Sequence, residues 1–204
     1  MLNAPFLELA YFVGERNIPA SVERLRSELF LKGTAPKFSA PDAIGIAGPA
    51  EQMAVRGGVI ELRTEGESFC SEPGRSKPQA DRLGPIAYER FVHFADILAP
   101  AYGAILIEYS LEEPDDLLTD SRSLAFENFF LGTPAIDQRT VDDVLSIVGS
   151  EAYVSRRAHG VYVSMSPYFN PKQRSIEPVI AHELSAKVGA LVAAALRANK
   201  LSSR

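Results

Sequence analysis

Residues 84–132, GPIAYERFVHFADILAPAYGAILIEYSLEEPDDLLTDSRSLAFENFFLG, constrain the fold most, because a helix, a buried strand, an acidic loop and an aromatic segment follow one another without a break. Ala87, Phe91, Phe94, Ala95 and Leu98 recur at helical spacing and form one apolar stripe. Pro85 suits the first turn of such a helix, where no amide partner is needed, and Pro100 stops it. AILIEYSL then reads as a central strand, apolar on both faces up to Ile107 and half polar from Glu108 onward. For 121–131 the favoured reading is a short helix ending at Gly132, with a strand as the alternative.

The remaining elements are placed around this spine. Phe6 to Val13 alternates as a strand, with Leu7, Leu9, Tyr11 and Val13 on one face. Ser21 is a candidate cap for a helix through VERLRSELFLKG, which buries Val22, Leu25 and Leu29. GVIELRT, residues 58–64, reads as a strand whose Val59, Glu61 and Arg63 side faces water. Thr140 to Gly149 is a helix with Thr140 and Asp143 in a capping-box relation. AYVSRR and VYVSMS make a late hairpin through Ala158, His159 and Gly160, where Gly160 can supply positive φ. A long last helix begins near Pro178. Two stretches, 34–58 and 65–83, are rich in Gly, Pro and small or polar residues; they read as mobile loops, the first carrying a helical turn. The expectation is one domain over residues 1–204, a two-layer α+β fold with a mixed sheet of about five strands.

Composition narrows the function classes. A net charge of −5 opposes general nucleic-acid binding, which needs clustered Lys and Arg to displace counterions from phosphates. It favours a basic partner, although a charge that merely keeps the protein soluble gives the same number. The single cysteine, Cys70, permits no internal disulfide and suits a reducing cytoplasm. The apolar N-terminus lacks a basic leader and carries Glu8, so it reads as a strand, and no run reaches the roughly 18 apolar residues that span a bilayer.

No motif of recognised spacing appears. The glycines at 45, 48, 57 and 58 form no phosphate cradle, and His182-Glu183 lacks the second histidine of a zinc-protease helix, Ala186 standing there. Cys70 has no nearby histidine to draw off its proton. No cofactor or metal is therefore expected.

The most distinctive polar feature is LEEPDDLLTD, which puts Glu112, Glu113, Asp115, Asp116 and Asp120 within nine residues. Pro114 and the missing D-x-D-x-D-G pattern rule out a calcium loop of the common kind. One reading is a non-enzymatic interaction domain that binds and neutralises a basic partner through this loop, as bacterial immunity proteins do with toxins. That analogy rests on composition and size alone. The alternative is a small enzyme or ligand-binding domain with a cleft at the strand ends, using Glu108 with His93 or His159. On the last helix, Ala186, Gly189 and Ala193 form a small-residue stripe that suits close helix packing, either inside the domain or in a homodimer.

Overall fold

Strand β1 (Phe6–Phe12) is fifth in a nine-stranded sheet and carries side chains into both of the molecule's cores. The computed structural model describes residues 6–31, 37–40, 43–46, 51–65, 77–107, 110–118, 126–165 and 178–202. After β1 come α1 (Ile18–Leu31), β2 (Lys37–Ala40), β3 (Ala43–Ile46), β4 (Glu51–Arg56), β5 (Val59–Glu65), α2 (Lys77–Leu98) and β6 (Tyr102–Ile107). The second half holds β7 (Asn128–Gly132), α3 (Gln138–Val148), β8 (Tyr153–Arg157), β9 (Gly160–Ser164) and α4 (Pro178–Ser202). The sheet order is β2-β3-β4-β5-β1-β6-β7-β9-β8, and every neighbouring pair is antiparallel.

The class is α+β, as the lack of strict strand–helix alternation and the late hairpin imply, but the sheet is wider than five strands and antiparallel rather than mixed. Helices also lie on both faces, giving three layers instead of two. On one face Leu9, Tyr11, Ile60 and Ile105 pack with Leu25 of α1 and with Ala87, Phe91, Phe94 and Leu98 of α2. On the other, Ala104, Phe129, Leu131 and Val163 pack with Val141 and Val144 of α3 and Val188 and Val192 of α4. Each fully buried large apolar side chain contributes about 1.5–3 kcal/mol, which is why the central strands are apolar on both sides.

Several expectations are corrected. Three strands occupy described parts of 34–58 in place of a loop with a helical turn; β2 and β3 are too short to show alternation, and pairings such as Met53 with Leu62 settle β4. Within 65–83, residues 77–83 belong to α2, so Pro85 lies inside that helix instead of starting it; 66–76 fall outside the described residues. Over 128–131 the helix reading of 121–131 gives way to β7, whose NFFLG run is buried on both sides between β6 and β9, while 121–125 fall outside the described residues. Periodicity cannot separate helix from strand in so short an apolar run. α1 starts at Ile18, ahead of Ser21, and Asp137 rather than Thr140 caps α3, accepting the Thr140 amide at 2.7 Å.

Candidate functional site

The acidic loop after β6 is anchored by its apolar residues and its backbone. Leu111, Pro114 and Leu117 are buried, and Glu113 O accepts the amides of Asp116 and Leu117 at 3.0 and 3.1 Å, closing a short turn. Arg56 Nη2 donates to Leu111 O at 2.6 Å, and the Tyr102 hydroxyl donates to Glu112 O. Gly57, at φ 53° in the β4–β5 turn, leaves room for the Glu113 carboxylate, since a Cβ there would lie 1.9 Å from Glu113 Oε1. Interior strands of the sheet therefore hold the loop at two successive residues, Leu111 and Glu112, with Glu113 fitted against Gly57.

The carboxylates divide into two sets. Glu112 and Glu113 are half-buried against the sheet, whereas Asp115 and Asp116 stand exposed. Asp115 lies 3.5 Å from Arg197 of α4; with both groups largely in water, that pair adds about 0–1 kcal/mol. Asp120 falls outside the described residues.

Beneath the loop, β1, β4 and β5 carry a buried charge network. Glu8 pairs in register with Arg63, and Ala10 with Glu61, so Glu8, Glu61 and Arg63 share one face of the sheet. Arg63 Nε reaches Glu8 Oε2 at 2.8 Å, and its Nη2 reaches Glu61 Oε2 at 2.7 Å. Arg56 Nε contacts Glu61 Oε1 at 3.3 Å while holding Leu111 through Nη2. The chain of contacts thus runs from Glu8 in the middle of the sheet to the root of the acidic loop. Glu8 is fully buried and Glu61 nearly so, while Arg56 and Arg63 open partly to solvent.

Glu8 Oε1 has no hydrogen-bond partner among the described residues. Burial, reinforced by the negative charge of Glu61, raises the Glu8 pKa from 4.5 to about 7, against the opposing pull of Arg63 and the Leu111 amide. Burial, then the carboxylates of Glu113, Glu112 and Asp116, also raises the Tyr102 phenol. Because the Glu8 carboxyl is sealed from solvent, the chemistry open to it is gain or loss of a proton rather than attack on a substrate.

The network includes residues that pattern reading misassigned. Alternation puts Glu61 on a wet face, yet its side chain is covered. A signal did exist: Glu8 is the one charge in the otherwise apolar run FLELAYF.

The residues of the alternative cleft are not brought together among the described residues. His93 Nε2 lies 3.3 Å from Glu28 Oε1, bridging α2 and α1. His159 sits exposed in the β8–β9 turn, where its carbonyl accepts the Thr133 amide at 3.0 Å. Glu108 and Cys70 fall outside the described residues, as does the side chain of His182. An open depression of about 610 Å³ follows Pro85, Ile86, Glu89, Arg90 and His93 along α2. On α4, Gly189 and Ala193 are buried and Ala186 is half-buried; a Cβ on Gly189 would meet the Phe126 ring at 3.3 Å. No cluster of three His, Cys, Asp or Glu among the described residues is arranged to hold a metal ion, and none of their helices is long and apolar enough to cross a membrane. Compared with known proteins, the chain matches no family model, no curated protein and no solved structure.

Proposed function

We propose that the protein is a non-enzymatic interaction domain that docks a basic protein partner on the loop carrying Glu112, Glu113, Asp115 and Asp116, in the manner of an immunity-type neutralising protein. The observation that supports this reading is the combination of a backbone held by Arg56 and Tyr102 with side chains of Asp115 and Asp116 left in water. A fixed display of negative charge loses little conformational entropy on binding, and it steers a cationic surface during encounter. Asp120 belongs to the same proposed surface by sequence.

The test uses Asp115→Lys combined with Asp116→Lys, which reverses exposed charge without disturbing the half-buried Glu112 and Glu113. Tagged wild type is used to capture partners from source cells at low and moderate salt, and the isolated partner's affinity is then measured for both forms. The expected result is a stoichiometric basic protein whose Kd for the variant rises about tenfold or more at low salt, mostly through slower association. The same charge reversal at exposed Glu23 and Asp143, on α1 and α3, should have little effect. Equal affinity in both double variants, or no stoichiometric basic partner, would remove the loop from the function.

A further inference from the structure

We infer that Glu8 is a proton-operated clamp on the acidic loop: ionised, it holds Arg63 in the network that reaches Leu111; protonated, it slackens that hold and leaves one more positive charge in the network.

The geometry carries the argument. Leu111 is the residue through which this network grips the loop, its carbonyl bonded by Arg56. Arg63 links Glu8 to Glu61, and Glu61 links on to Arg56, so a change of charge at Glu8 passes along the network to Leu111. The unpartnered Oε1 places an acid in the sheet with one oxygen unsatisfied in the ionised form. A proton removes the buried charge, and it also weakens the hold of Glu8 on Arg63.

The charged groups that act on Glu8 are Glu61 and Arg63 on β5; Arg56 on β4 joins them through Glu61, and the loop carboxylates Glu113, Glu112 and Asp116 act on Tyr102 of β6. β6 presents Leu106 opposite Glu8. The four network groups sum to zero charge with Glu8 ionised and to +1 with it protonated. That added charge sits in a network that meets the loop at Leu111 through Arg56, and it opposes the negative field of the loop. Acidification therefore loosens and partly neutralises the loop, and a basic partner binds more weakly below neutrality than above it. This last consequence rests on the proposed function; the clamp itself does not.

The experiment reads the free protein by NMR, so its failure is distinct from failure of the partner reading. The Glu8 carboxyl carbon, the Leu111 amide and Arg56 Nε are followed from roughly pH 3 to pH 9 in wild type and in Glu8→Gln. In wild type all three should shift together with one inflection near pH 7. In Glu8→Gln, which resembles the protonated acid, the Leu111 and Arg56 signals should stay at their low-pH positions throughout. A Glu8 carbon that titrates near its ordinary value of 4.5 overturns the inference without recourse to any variant. So does a Leu111 amide that is flat across the range, or one that keeps its inflection in Glu8→Gln.

Discussion

At the scale of single residues, a few positions hold conformations or charges that their neighbours impose. Ala99 closes α2 at φ 46°, donating its amide to Ala95 O at 2.9 Å, and Pro100 follows it. A side chain in this left-handed region is strained, and glycine is the usual residue at such a helix end. Ala99→Gly is expected to raise unfolding free energy by about 0.5–1 kcal/mol, net of the extra freedom that glycine gives the unfolded chain, as read by urea denaturation. Glu8 and Glu61 are the opposite case, since no local pattern marks them as buried. Strand alternation tells which residues share a face but not what later covers it. Here Glu61 is tied through Arg56 to Leu111, some fifty residues further along the chain.

At the scale of elements, close approach explains more than turn chemistry. Gly160 opens β9 and faces Gly132 across the β7 pairing. It is absent from the positive-φ glycines, so the expectation that it supplies positive φ in the hairpin turn is not met. Its need is for space, because a Cβ there would sit 2.1 Å from Leu131 O and 2.5 Å from the Phe130 ring. Gly160→Ala should therefore cost about 2–3 kcal/mol, whereas Ala158→Gly in the exposed turn should cost under about 1 kcal/mol. Equal losses in thermal or chemical melts would show that crowding is not the reason for the glycine. The acidic loop is likewise an element defined by its anchors. Arg56→Gln removes the charged hold on Leu111 O, and amide exchange from Leu111 to Leu117 should then quicken while exchange in β1 is unchanged.

At the scale of the whole molecule, the buried network makes global stability depend on pH in a definite direction. Folding raises the Glu8 pKa from 4.5 to about 7, so the native state binds the proton more tightly than the unfolded chain does. The resulting stabilisation is complete below about pH 4.5 and is lost as pH rises through about 7. At pH 8 the Glu8→Gln variant should be the more stable form, by a difference on the order of 2–3 kcal/mol that shrinks towards pH 5. Parallel urea titrations at the two pH values check both the sign and the convergence. The sequence by itself determined the α+β class, the strand character of β1, β5 and β6, the late hairpin, the long last helix and the loop rich in carboxylates. Each of these is written in local periodicity, in Gly and Pro punctuation or in a run of charge. Only the tertiary structure decided that β2 to β4 and β7 are strands, that helices cover both faces, and that Glu8, Glu61, Arg63 and Arg56 meet beneath that loop. The physical reason is common to all three: short apolar runs take their conformation from the partners that bury them. A charge is buried only when distant segments close over it and supply its counter-charge.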